Sequence, residues 1–525
     1  MKKIYSYLAV GCLSLSLSGC LDMEPVSVIS EGKYWQSPEQ FSAFNVGLHG
    51  LLRERSHTIF VWGEPRADIY SGTPFTGEAP QGWERLWQNT MHQMNPVISN
   101  FGNFYVNLNQ INLMIENTEN TSVLDEATKK YYLGTAYGMR AYIFFHLLRT
   151  YGKCVVNLEP TIGTGINIGQ TSKAESDANA VMEQITKDIT ASETNFGENY
   201  EFKDLERSYW SLAATKMLKG EVYLWKGKTD GGGTTDFGTA KQAFEDVKKA
   251  DVTLGTNYKE IFAYDKKEKN QEIIFTIHNG RNEYDLWGGQ YGGTLVMNKQ
   301  NTSNLYLANG TKVQESELKD MSGLIRFQIN PELSQNLFKE GDKRKESTFK
   351  NIYKKEGNNL IFQSPVAYKF QGILLDGSNE RSWLDNFPIY RYADCLLGLA
   401  EAKIFLGEDP TNEINAVRER AYGKEYFAQH NELAYPNDND AAFYSNNKFV
   451  APDNAGAIEA VLKERMREFV FEGKRWYDLR LMGKEYVTKY SSASEDRMLW
   501  PIDENSLGEN DALKQTPGYE VQGKE

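Results

Sequence analysis

The sequence predicts a mostly α-helical protein: a scaffold of tetratricopeptide-like helix pairs, interrupted by an irregular, loop-rich insertion containing short strands. Three observations lead there. Tyr209 to Lys226 has helical spacing and is rich in small residues (Ala213, Ala214, Gly220), and a Gly-rich turn and a second helical stretch, Phe237 to Ala250, follow it. A helix with small residues where a partner packs closely, then a turn and a second helix, is the unit of such repeats. The same grammar recurs at 390–422, through Ala393, Leu397, Ala400, Ala402 and Leu406-Gly407, then Thr411 to Ala421. Between these copies, residues 255–390 lose the helical period. There, strand-like pieces such as Glu272 to His278 alternate with Gly clusters at Gly288-Gly289 and Gly292-Gly293.

The remaining elements follow in order. Residues 36–60 and 92–120 show helical spacing, and between them Val61 to Asn89 is rich in Gly, Pro and aromatics. That composition predicts a long irregular loop, where binding groups concentrate. Asp125 to Tyr151 predicts a strong helix that stops at Gly152, and 174–195 predicts another. The last long helix is expected from Ala457 to Gly483, with basic and acidic groups at helical distances. The expected organisation is a leader, 1–19, and one body, 20–525. That body comprises N-terminal helices and a binding loop (20–120), a repeat scaffold (121–254), the insertion (255–388) and a C-terminal helical part (389–525).

The N-terminus carries the sharpest local signal. Lys2 and Lys3 precede an apolar and small-residue run, Ile4 to Ser18, and then Leu17-Ser18-Gly19-Cys20. The run is too short to span a bilayer and reads as a secretory signal. Small residues before a cysteine resemble the bacterial lipobox, so Cys20 is the expected lipidation site, and two or three acyl chains would anchor the protein firmly. Of four cysteines, Cys154 and Cys395 then remain in apolar surroundings, with no CxxC or Cys/His metal spacing. A net charge of −13 leaves no broad basic face for nucleic acid.

Several longer motifs resemble one family. Arg140 to Gly152 runs from Arg-Ala through aromatics to Tyr-Gly. Arg391-Tyr392-Ala393-Asp394 leads to Glu401-Ala402. Glu464-Arg465, Glu468 and Glu472-Gly-Lys-Arg-Trp-Tyr-Asp-Leu-Arg480 follow, then Leu499-Trp-Pro-Ile-Asp-Glu504 and Gln515-Thr-Pro-Gly-Tyr519. In order and spacing these are similar to the SusD/RagB family of outer-membrane nutrient-binding lipoproteins. The resemblance implies four tetratricopeptide-like helix pairs. It also implies a lipid-anchored, outward-facing position at the outer membrane, and capture of oligosaccharides, or oligopeptides in RagB-like members, for a SusC-like TonB-dependent transporter. No catalysis and no cofactor are implied. The paired charges of Glu464–Arg480, and Arg391, are expected to form a buried ion network that fixes helix packing.

Sugar recognition needs aromatic faces for stacking and planar polar groups for paired hydroxyls. Two clusters offer both. The first is the 61–89 loop, with Arg66, Asp68 and Tyr70 beside Trp83 and Trp87; of the two tryptophans, Trp87 is the expected packing plug. The second is 282–291, with Tyr284, Trp287 and Tyr291; Trp383 is a weaker third candidate. Where the starch-binding member carries an aromatic after a Ser/Asn-Gly pair, this chain reads Ser322-Gly323-Leu324, which argues against simple transfer of a starch ligand. No GxSxG, HExxH or P-loop motif is present, so a surface glycoside hydrolase is the less favoured alternative. Asp438-Asn439-Asp440 is calcium-like only in part and reads as a solvated turn.

Overall fold

The computed structural model describes residues 34–519, apart from 73–74, 76–79, 99–100, 162–171, 230, 327 and 446–450. The leader and Cys20 lie outside the described residues. The protein is mainly helical, as the sequence predicts. Its longer helices are α1 (Pro38–Glu54), α2 (Ser56–Gly63), α3 (Phe101–Asn120), α4 (Glu126–Tyr151), α5 (Ala178–Phe196), α6 (Leu212–Thr229) and α7 (Gly233–Val247). After the insertion come α8 (Tyr392–Leu406), α9 (Thr411–Tyr422), α10 (Ala457–Phe469) and α11 (Arg475–Met482).

Local chemistry sets the boundaries of these helices. Ser37 and Gln40 form a capping box ahead of Pro38, satisfying amides that the first turn leaves unpaired. Asp125 and Asp177 accept from the third backbone N–H of α4 and α5, and α4 ends at Gly152 in a left-handed conformation. Helices α4 to α9 pack in sequence order. The small residues work as expected. Phe244 of α7 sits so close to Gly220 of α6 and Gly398 of α8 that a Cβ at either would fall 2.4 Å or 2.6 Å from its ring.

The insertion holds most of the short strands: β2 (Ile273–Ile277), β3 (Leu305–Leu307), β4 (Gln328–Ile329), β5 (Phe349–Glu356), β6 (Asn359–Ala367), β7 (Ile373–Leu374), β8 (Arg381–Ser382) and β9 (Phe387–Arg391). They pair antiparallel as β2–β9, β3–β5–β6 and β7–β8. A two-residue strand in the N-terminal loop, β1 (Tyr70–Ser71), pairs with β4 and ties the 61–89 segment to the insertion. Among the described residues no helix is long and apolar enough to cross a membrane.

Two expected elements differ. The 61–89 segment is not a loop throughout: α2 runs to Gly63, Val61 to Tyr70 are all buried, and the helix expected from residue 92 begins at Phe101. The 457–483 helix breaks after Phe469, where Val470 turns extended and Phe471 and Gly473 adopt φ +73° and +72°. The break is held from far away. Glu64, fully buried, accepts from Phe471 N and Gly473 N at 2.9 Å each and from the Tyr70 hydroxyl. Burial pushes the Glu64 carboxyl up to about 7, and these three donors oppose that shift.

Around the break lies the expected ion network. Arg391 bonds Glu272, Glu468 and Glu472, and Arg344 bonds Asp342, Glu464 and Glu468, all with fully buried side chains. Asp438 belongs to an extension of this network. Of the expected solvated turn, Asn439 and Asp440 are exposed, but Asp438 is 2% exposed and pairs with Lys339 and Lys463.

Candidate ligand-binding site

The two aromatic clusters meet through a residue that neither contained. His57, in the first turn of α2, lies with its ring 5.6 Å from Trp83 and stacks on Trp287 at 5.7 Å. One turn on, Phe60 stacks on the other part of the same indole at 4.0 Å. Trp287 continues edge-on to Tyr291 (5.4 Å), and Tyr291 to Trp383 (4.9 Å). The result is a seam of rings, Trp83–His57–Trp287–Tyr291–Trp383, running from the N-terminal segment into the insertion. Nothing in the local pattern marks His57: it ends an ordinary amphipathic stretch.

The backbone is bent to place Trp287. Trp287, Gly288 and Gly289 are successively left-handed, at φ +57°, +65° and +80°. For a tryptophan this costs about 1–2 kcal/mol, a strain that persists only where packing over-determines it. Glycine is favoured next by the left-handed backbone, and a Cβ at 288 would sit 3.0 Å from the Tyr284 hydroxyl. Two polar ring atoms of the seam, His57 Nε2 and Trp287 Nε1, are buried and find no hydrogen-bond partner among the described residues. Burial also pushes His57 down to about 3, so the ring is neutral.

Most of the residues expected to touch ligand are consumed by the scaffold. Arg66 is fully buried. It bonds Asn89 Oδ1 (2.8 Å) and the carbonyls of Arg497, Met498 and Leu499, with its guanidinium 4.3 Å over Trp476. Asp68 is buried in a two-pronged pair with Arg475, 3.0 Å on each oxygen, and Tyr70 is buried against Glu64. Trp287 (1% exposed), Tyr291 and Trp383 are interior rings of the seam, with the Tyr291 hydroxyl on the Phe370 carbonyl. All six side chains are buried in this conformation, bonded or packed within the fold.

Trp83, Trp87 and Tyr284 keep exposed surface. The two tryptophans are both half-buried against the core. Tyr284 lies under the Arg53 guanidinium (5.0 Å), beside exposed Asp285, whose carboxyl partial burial pushes up. Gly323 packs so tightly on the short helix that follows, Gln290–Leu295, that a Cβ would meet the Gly292 carbonyl at 2.0 Å, and Leu324 beside it is 52% exposed. Among the described residues no group of three or more His, Cys, Asp or Glu could hold a metal ion.

Comparison with known proteins matches two family models: the SusD family over residues 259–485, and a family described as starch-binding and associating with the outer membrane over 72–224. A solved SusD superfamily protein from Bacteroides vulgatus is 54% identical, with TM-score 0.89 over 93% of this chain and all of that one. NanU from B. fragilis is 52% identical, with TM-score 0.90 over 95% of this chain and all of that one. SusD-like protein P38 of Formosa agariphila is 24% identical over 98% of this chain and 97% of its own.

Proposed function

The chain belongs to the SusD family, and from that premise we propose that it binds oligosaccharides at the cell surface and passes them to a SusC-like TonB-dependent transporter without cleaving them. The observation that carries the reading is the aromatic seam, buried inside and partly exposed at Trp83, with partly exposed Tyr284 in the turn before Trp287, under Arg53 and next to Asp285. Stacking surfaces next to planar charged groups suit the CH-rich faces and paired hydroxyls of sugars.

Trp83→Ala and Tyr284→Ala are each expected to weaken binding of the cognate oligosaccharide about two- to tenfold, since each aromatic contact is worth roughly 0.5–1.5 kcal/mol. Calorimetric titration against oligosaccharide and oligopeptide panels, with chromatography for cleavage products, checks this. Undiminished affinity in both variants would remove the site from Trp83 and Tyr284. Peptide binding would move the protein to the RagB-like branch, and turnover would overturn the binding reading.

The same reading includes a lipid anchor on Cys20 and an outward-facing position at the outer membrane. Cys20→Ala should give folded protein in the soluble fraction, whereas the native chain partitions with membranes even in a strain lacking the transporter. Membrane fractionation that is unchanged by the substitution would overturn the anchor.

A further inference from the structure

The turn carrying Tyr284 is held by four ionisable side chains from three parts of the chain. His278, just after β2, places Nδ1 2.7 Å from Glu206 Oε2 and Nε2 3.2 Å from Glu283 Oε2. Glu206 stands in the 197–211 connection between α5 and α6, where Asn386 Nδ2 donates to the same oxygen at 2.8 Å. Glu283 begins the binding turn, and its other oxygen accepts from Arg53 of α1, the arginine that covers Tyr284.

An ionised carboxylate only accepts hydrogen bonds, so a ring between two of them satisfies both contacts only when both ring nitrogens carry protons. The hydrogen bond to Glu206 raises the His278 pKa. Arg53 and His278 hold Glu283 low, and at Glu206 the bonds from His278 and Asn386 outweigh burial. The remaining charge facing the ring is Lys267, which opposes the imidazolium and donates to the Asn279 carbonyl; Asp385 stands behind it. His278 and Glu283 retain side-chain exposures of 34% and 50%, so solvent protons reach the pair.

We propose that protonated His278 is a pH-dependent positioning residue, which clamps the 280–289 turn, and with it Tyr284, to α1 and to the 197–211 connection. On losing its proton the ring keeps one N–H. The shorter bond to Glu206 retains it, and Glu283 then faces a lone pair and is held by Arg53 alone. A histidine whose folded pKa is raised contributes fully below its unfolded value near 6.5, and the contribution fades as pH rises through the higher folded value. The turn is therefore tight in mildly acid medium and loosens above neutrality. The proposal rests on the binding reading only for the use of Tyr284; the clamp itself is measured without ligand.

The test is hydrogen exchange of the purified protein between pH 5.5 and 8.5, with rates corrected by an unstructured peptide reference. Protection across 279–291 should fall at least fivefold over this range in the native protein and stay low throughout in His278→Gln, while peptides from α6 remain unchanged in both. Glu206→Gln, which removes the stronger partner, should move the midpoint to lower pH. Protection that is independent of pH in the native protein, or pH dependence that survives in His278→Gln, would overturn the clamp. Should His278→Gln fail to fold, an unshifted midpoint in Glu206→Gln overturns it equally. Tyr284→Ala separates the two readings: it should lose ligand affinity yet keep the pH-dependent protection.

Discussion

Arg391→Ala is expected to destabilise the protein by about 3–5 kcal/mol, the cost of removing one partner from a buried ion cluster. The arginine is fully buried and its five short contacts serve three carboxylates and one carbonyl: Nε and Nη2 on the Glu472 carboxylate, Nη1 on those of Glu272 and Glu468, and Nη2 on the Glu468 carbonyl. Truncation leaves Glu472 with Lys369 alone, and Glu272 and Glu468 leaning on Arg420 and Arg344. Arg391→Lys restores the charge but not the planar fork, and should recover only part of the loss. Denaturant titration of the soluble chain checks the magnitude.

The pH profile separates this mechanism from simple loss of packing. The Glu464 carboxyl stays at about 2, because Arg344 and Arg418 outweigh burial, and Glu468 is depressed by Arg420, Arg391 and Arg344. Carboxyls with depressed folded pKa values stabilise the protein above their unfolded value near 4.5 and lose that contribution as pH falls through the folded one. Without Arg391 the orphaned carboxylates protonate more readily, which relieves the buried charge. The deficit of Arg391→Ala relative to the native protein should therefore be largest near pH 7 and shrink toward pH 5. A deficit that does not change with pH would assign the loss to packing.

What the sequence made legible followed from period and composition. Helices α4, α6 and α7 were readable from spacing, and Gly220 from the small residues a close partner requires, here the Phe244 ring; Gly398, which meets the same ring, carried no such signal. The alternating charges of 464–480 were readable as a buried network. The break inside that stretch was not, because helical spacing continues through it and Glu64, which holds it open, lies 407 residues away from Phe471. The site was legible in the same partial way. Arg66, Asp68 and Tyr70 sit in a segment whose composition suggests exposed binding groups. Their partners, the 497–499 carbonyls, Arg475 and Glu64, decide otherwise, and only Glu64 is near in sequence. Which ring faces solvent depends on how α2 and the insertion meet, so Trp83 and Trp287 read alike in the chain and differ in the fold.

The seat of α2 also includes a close approach to the 470–474 break, at Gly63. Gly63 lies at the end of α2 with no need for a left-handed backbone, so helix propensity alone would make Gly63→Ala stabilising by roughly 1 kcal/mol. Packing reverses the sign. A Cβ there would fall 1.7 Å from the Gly473 carbonyl oxygen and 2.6 Å from its carbon, and both atoms are backbone that cannot rotate aside. Moving Gly473 pulls its N–H from Glu64 and disturbs the start of α11, where Arg475 holds Asp68. The expected loss is about 3 kcal/mol or more, the upper end for overpacking a filled core. Gly47, exposed on α1 with nothing within 4 Å of its would-be Cβ, is the matched control, and Gly47→Ala should gain about 0.5–1 kcal/mol. Because α2 also carries His57 and Phe60, any Gly63→Ala protein that folds should show altered Trp287 fluorescence, with the ring no longer stacked at 4.0 Å on Phe60. Equal, small gains at both glycines would mean that the approach of α2 to the 470–474 break does not hold the seam in place.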